Sequence, residues 1–292
     1  MDIKLIAFDS LGTRSMATII KTRHVQIMVD PSAALGPRRY GLPPHPLEYE
    51  KLKEHKEAIV KSAKESDLVI VTHYHYDHIP RPGEGVAWLA GKKLLIKDPN
   101  HMINFSQKMR AKKFLEMLST FDIKVEAVDG REIDIGGTKI KFSRPVQHGN
   151  DSKLGYVLEV LVEDSGEKIL FTSDVEGPVD EEQVKFILSN KPDILICDGP
   201  MTYMLGNKYS WEDLEKALKN LKKIVMKTEL SILILDHHLI RDRDWKMKIR
   251  EFVEEVGGDV EIHTAASYMG LPENPLESMR DVLWRESSLR RS

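Results

Sequence analysis

The segment Thr72-His73-Tyr74-His75-Tyr76-Asp77-His78 follows directly on the apolar run Leu68-Val69-Ile70-Val71. Four side chains able to bind a metal fall within six residues, just past a buried strand's end. That setting does not suit a solvated run of charge. Imidazole and carboxylate are borderline-to-hard ligands suited to zinc or iron, and a catalytic site needs several converging with one position left open. An extended chain sends alternate side chains to one side, so His73 and His75 project together. A turn then lets Asp77 and His78 reach a second point close by. The segment predicts a metal site.

His-x-His-x-Asp-His after a strand resembles the signature of the metallo-β-lactamase-fold superfamily, most of whose members are hydrolases with one or two metals. The resemblance extends along most of the chain. That family carries a third His further on, then an Asp after a strand, then a last His after another strand. Here His148 stands in Pro145-Val146-Gln147-His148-Gly149, Asp174 ends Ile169-Leu170-Phe171-Thr172-Ser173-Asp174, and His237 stands in Ile232-Leu233-Ile234-Leu235-Asp236-His237-His238. Within the superfamily the chain looks most like an archaeal branch of metal-dependent hydrolases, a likeness that carries no substrate.

The resemblance implies an α/β (α+β) fold: a four-layer αββα sandwich of two mixed β-sheets with helices on both outer faces, spanning 1–292 as one domain. The metal site would lie at one edge of the sandwich. His73, His75 and His148 would hold one metal, and Asp77, His78 and His237 a second, with Asp174 bridging. Two zinc ions are implied, with iron or manganese as alternatives, and a metal-bound hydroxide as nucleophile. Asp77 would also orient that water. The family's last motif has a small polar residue before one His, whereas here Asp236 precedes two. Adjacent residues on an extended chain point opposite ways, so one of the pair reaches the metal. Alignment selects His237, leaving His238 to bind substrate or shuttle a proton. Asp30 matches a strand-end Asp that orients a ligand histidine. An ordinary Asp-Pro turn is the alternative there. Asp198 in Asp198-Gly199-Pro200 is a further catalytic candidate, against a simple turn. Tyr74 and Tyr76 should pack beside the site. His24, His45, His55, His101 and His263 lack motif support and read as surface or hydrogen-bonded structural residues.

Composition narrows the setting. A chain of 292 residues with a formal charge of -3 has no global pull toward nucleic acid or anionic membrane. Cys197, the single cysteine, sits among Ile194, Leu195 and Ile196 and reads as a small core residue. No apolar stretch approaches the roughly eighteen residues a membrane span needs, and the N-terminus is a charged short strand, so a cytoplasmic protein without a membrane partner is expected. The excess of Lys and Glu over Gln is the bias of thermophile proteins.

Strand signals fall at 3–8, 16–21, 25–29, 68–71, 93–96, 124–128, 139–142, 156–163, 168–172, 193–197, 232–235 and 261–264, and helix signals at 47–64, 103–120, 180–189, 211–227 and 245–256. Three functions compete. A dinuclear zinc hydrolase leads, acting on a phosphodiester or other phosphorylated substrate, or on a lactone or thioester. A mononuclear iron oxygenase would share the first motif but use fewer ligands. A non-catalytic binding module would show a broken ligand set. A nucleic-acid-derived substrate is less favoured: Lys108, Arg110, Lys112 and Lys113, like Lys216, Lys219, Lys222, Lys223 and Lys227, read as solvated helix faces.

Overall fold

The computed structural model describes residues 1–289. Its strands form two mixed sheets. The first takes β1 (Asp2–Phe8), β2 (Met16–Lys21), β3 (Gln26–Val29), β4 (Leu68–Val71), β5 (Lys93–Ile96) and β6 (Lys124–Ala127), in that spatial order. The second has seven of the remaining nine strands: β7 (Glu132–Ile135), β8 (Thr138–Phe142), β11 (Val160–Asp164), β12 (Glu167–Phe171), β13 (Ile194–Asp198), β14 (Ile232–Asp236) and β15 (Glu261–His263). β9 (Val146–Gln147) and β10 (Tyr156–Val157) pair separately. Both large sheets begin as antiparallel meanders and finish as three successive parallel pairings.

The central strands are apolar on both faces because both faces are covered. Ile70 of β4, Phe171 of β12 and Ile196 of β13 point into the layer between the sheets, with Phe8, Ile27 and Phe142. Val69 and Val71 point outward under α1 (Pro46–Glu65) and α2 (Phe105–Leu118), against Ile59, Ala63 and Phe114. Leu170, Leu195 and Leu233 point outward on the other side, under α3 (Glu181–Asn190), α4 (Trp211–Lys227) and α6 (Arg250–Val256). The result is the four-layer αββα sandwich. Helix α4 shows the logic: Leu214, Ala217, Leu221, Ile224 and Val225 recur at helical spacing and are buried. Ser210 starts it by accepting from Asp213 N–H while Asp213 accepts from Ser210 N–H.

The structure departs from the sequence expectations in places that matter for the site. The strand expected at 156–163 is two strands. Between them Leu158 N–H donates to Thr72 O at 3.1 Å, so the chain leaves β9, touches the motif of the first sheet, and only then joins β8. The helix expected at 245–256 breaks at Ile249, separating the single turn α5 (Trp245–Lys248) from α6. Ile249 is fully buried, while Lys248 before it is held outward by Asp242 at 2.5 Å. β7 was missed because it is a half-exposed edge strand of alternating charge. Two helices were also missed: α7 (Ala265–Tyr268), a single turn, and α8 (Arg280–Leu289). Among the described residues no helix is long and apolar enough to cross a membrane.

Candidate metal centre

The first histidines lie where β4 ends. Asp30, turned into the left-handed region at φ 50° after β3, aims its carboxylate at this point. Its Oδ1 accepts Thr72 N–H at 2.8 Å, and its Oδ2 accepts both Thr72 Oγ1–H at 2.6 Å and His78 Nδ1–H at 2.8 Å. Donation from Nδ1 fixes the His78 tautomer and leaves Nε2 with a free lone pair. That atom faces Asp174 Oδ1 at 3.0 Å. The Nδ1 of His73 lies 3.2 Å from both Thr72 Oγ1 and Ser173 Oγ. Its Nε2 lies 3.5 Å from Asp174 Oδ2.

The later residues converge on the same place. His148 Nε2 stands 3.1 Å from Asp174 Oδ2 and 3.1 Å from His75 Nδ1. His237 Nε2 stands 3.5 Å from Asp174 Oδ1 and 3.8 Å from Asp77 Oδ2. Besides the trio Asp30, His73 and His78, two groups of four emerge in which one donor atom from each residue lies within 4.8 Å of all the others: His73, His75, His148 and Asp174, and Asp77, His78, Asp174 and His237. Asp174 belongs to both. His238 belongs to neither; its Nδ1 donates to Asp198 Oδ2 at 2.9 Å, and its Nε2 lies 4.0 Å from Glu176 Oε1. The histidine pair is not extended: His237 has φ +57° and His238 is helical, so the chain turns between them and their rings sit 4.6 Å apart, edge to face. Asp198 brackets its neighbours, accepting the N–H of His238 at 3.0 Å and of Glu176 at 2.7 Å. Asp236 is likewise a buried backbone clamp, accepting from Ser10, His237 and Ala265.

Three residues that the motifs did not single out complete the arrangement. Asp9, at the end of β1, accepts His237 Nδ1–H at 2.7 Å and Arg241 Nε–H at 2.8 Å. Arg241 Nη2 lies 3.0 Å from His237 Nε2 and 3.8 Å from Asp77 Oδ2. Glu176 brings Oε1 to 3.6 Å from His148 Nδ1, its carboxylate occupying the space a side chain at Gly149 would fill. A shared signal existed: Asp9, Asp30, Asp174, Asp198 and Asp236 all stand at or just past apolar strand ends. Of the other histidines, His45 caps α1 and His55 bonds Thr13 Oγ1 at 2.6 Å, while His24 and His101 lie exposed on the surface. Tyr74 is buried and donates to Lys97 O.

Buried polar atoms normally have partners, yet His73 Nε2, His78 Nε2, His148 Nδ1, Asp174 Oδ1 and Glu176 Oε1 have no hydrogen bond among the described residues. The electrostatics point the same way. Burial opposes charge throughout the cluster, but His78 and His237 hold Asp174 well below the usual carboxylate range. Against the same opposition, Asp174 and its neighbouring carboxylates push His148 and His237 up to about 10. Burial drives His73 and His75 the other way, so the carboxylates draw positive charge to one part of the cluster while those two rings stay neutral with a lone pair to give. Divalent cations fit this arrangement.

No protein-family model matches the chain. It is 46% identical over 286 residues to a UPF0282 protein of Korarchaeum cryptofilum, covering 97% of this chain and 94% of the relative. Among solved structures it resembles the metallo-beta-lactamase fold protein YhfI of Bacillus subtilis, with TM-score 0.54 and 16% identity over 90% of this chain and 96% of that one. It also resembles an isothiocyanate hydrolase from Delia radicum gut bacteria, with TM-score 0.53 and 18% identity over 87% and 95%. Zn(2+)-bound PqqB from Methylobacterium extorquens gives TM-score 0.53 and 10% identity over 90% and 98%. At these identities the likeness is one of fold: two mixed sheets in the metallo-β-lactamase sandwich.

Proposed function

The chain belongs to the UPF0282 protein family, and from that premise we propose that it is a metal-dependent hydrolase with two divalent cations, zinc foremost, acting on a phosphorylated substrate. The observation that carries this reading is the pair of donor groups sharing Asp174, with unpartnered buried atoms in each. His73, His75, His148 and Asp174 would hold one cation, and Asp77, His78, His237 and Asp174 the other. Support comes from the fold, which a hydrolase and a Zn(2+)-bound protein share. Cations bound there lower the pKa of water toward about 7 and polarise an oxygen of the substrate.

The protein's own groups do the remaining work. Asp30 and Asp9 hold His78 and His237 with Nδ1 protonated, so that each presents Nε2. Asp77, at the solvent side of the cluster, accepts a hydrogen bond from the attacking water and orients it. His238 donates Nδ1–H to Asp198, which leaves its Nε2 as the acceptor beside His148 and His237. From there it takes a proton from the water or passes one to the leaving group.

Metal analysis of the purified protein, followed by turnover of phosphodiester, lactone and thioester substrates, tests the reading. Two cations per chain and phosphodiester hydrolysis abolished by chelation and restored by zinc are expected. A single iron per chain would favour the oxygenase alternative instead.

A further inference from the structure

Three guanidinium groups at the open edge of the donor cluster have no carboxylate partner among the described residues. His73, His78, His148, Asp174 and His237 are buried, whereas His75 and Asp77 are partly exposed, so solvent reaches the cluster beside Tyr76 between them. The half-buried Tyr76 ring carries Arg81 from the loop after the motif and Arg110 from α2, with Cζ at 5.1 and 4.9 Å from its centroid. A second station lies in the loop after β3. There Arg39 Cζ sits 4.8 Å from the Tyr40 ring and 4.7 Å from the Tyr203 ring. Its Nη2 donates to Arg241 O at 2.7 Å, which ties it to the residue whose guanidinium approaches Asp77. Its Nε is buried without a partner.

Among the described residues Arg39, Arg81 and Arg110 form no ion pair. Acids are not scarce, since the chain has 46 Asp and Glu against 43 Lys and Arg. Arg241 pairs with Asp9 and Arg280 with Glu48, while Arg23, Arg38 and Arg144 also form no ion pair among the described residues; what sets Arg39, Arg81 and Arg110 apart is that each is unpaired and stacked on a tyrosine ring. A guanidinium stacked on an aromatic ring is oriented in advance and keeps its in-plane N–H groups free. Such a fork matches the oxygens of a phosphate or carboxylate, and holding it in place reduces the entropy lost on binding.

We infer that this edge is an anion-recognition rim with two stations, Arg39 and the Arg81–Arg110 pair, and that its ligand is a phosphorylated molecule bearing a second anionic group. This rests on the reading of the adjoining cluster as a hydrolytic site, because the rim then chooses that site's substrate. One anionic group engages each station.

The test is calorimetric titration of the zinc-loaded full chain with fructose bisphosphate and with fructose monophosphate. The wild type is expected to bind the bisphosphate about tenfold more tightly. Arg39→Gln and the double variant Arg81→Gln/Arg110→Gln should each abolish that preference, with metal per chain and melting temperature unchanged. If Arg39→Gln does not fold, Arg39→Lys takes its place, since it keeps the charge but loses the stacked fork, and the same loss is expected. Equal affinity of the wild type for the two sugars overturns the inference, as does a preference that survives either variant. Phosphate release measured in the same mixtures separates the heat of binding from that of turnover. A wild type that prefers the bisphosphate but turns over no phosphate ester, lactone or thioester would therefore refute the hydrolase reading and leave the rim standing.

Discussion

Asp9 and His237 stand 228 residues apart in the chain and 2.7 Å apart in space. The carboxylate at the end of the first strand sets which nitrogen of the last motif histidine is free. The opposite oxygen of the same carboxylate holds Arg241. Removing the negative charge should therefore loosen both. Asp9→Asn is expected to weaken the second cation about 10- to 100-fold while the first stays bound. Zinc titration with a competing chelator, read as two separate affinities, checks this; equal weakening of both sites would contradict it.

The two adjacent histidines should separate cleanly. His237→Ala removes a donor from the group formed with Asp77, His78 and Asp174, and should leave one cation per chain. His238→Ala removes a group outside both sets, so metal content should hold at two while turnover and its pH profile change. Metal loss confined to the His238 variant would reverse the assignment.

Asp77 lies at the exposed side of the cluster, and the packing before it belongs to the fully buried β4. Asp77→Ala should lower turnover about a hundredfold to ten-thousandfold with the melting temperature of the metal-free protein nearly unchanged. Wild-type turnover in a zinc-replete variant would exclude the role given to it.

Glu159 offers a pH test away from the cluster. It is fully buried, neither carboxylate oxygen has a partner, and burial raises its pKa well above the 4.5 of a free Glu. The folded chain thus keeps this proton to higher pH than the unfolded chain. Stability from that proton is complete below about 4.5 and is lost as the pH rises toward the folded value. Glu159→Met should stabilise the protein at neutral pH by about 1–3 kcal/mol, the cost of an unpaired buried polar group. The advantage should shrink in acid. Thermal melts across that range decide it, and an advantage that grows on acidification would be the wrong sign.

The legible parts of this molecule are those whose cause is local. The motif at 73–78 declares itself because four donors share one strand end, and α4 because its apolar residues recur at helical spacing. Helix α8 does not, because its anchor is a charge: Arg280, fully buried, bonds Glu48 at 2.7 Å and the carbonyls of Gly36 and Leu42. Hydrophobic periodicity cannot register such an anchor. Arg241 and Glu176 were invisible for a related reason. Each follows a recognised residue closely, but its role exists only once Asp9 or His148 arrives from elsewhere. The left-handed turn at His237 was likewise set by its surroundings, since Asp236 pins the backbone to Ser10 and Ala265.

Neither four-residue donor group is built on one sheet. His73, His75, Asp77 and His78 extend from β4 in the first, whereas Asp174 and His237 extend from β12 and β14 in the second. A chain severed between β6 and β7, at the exposed residues Gly130 and Arg131, would yield two fragments that each own a complete sheet and an incomplete set of donors. Only a reassembled pair would carry both groups. Metal uptake by the mixed halves would then be a direct signal of fragment complementation, and the cations themselves a clasp between the two halves of the sandwich.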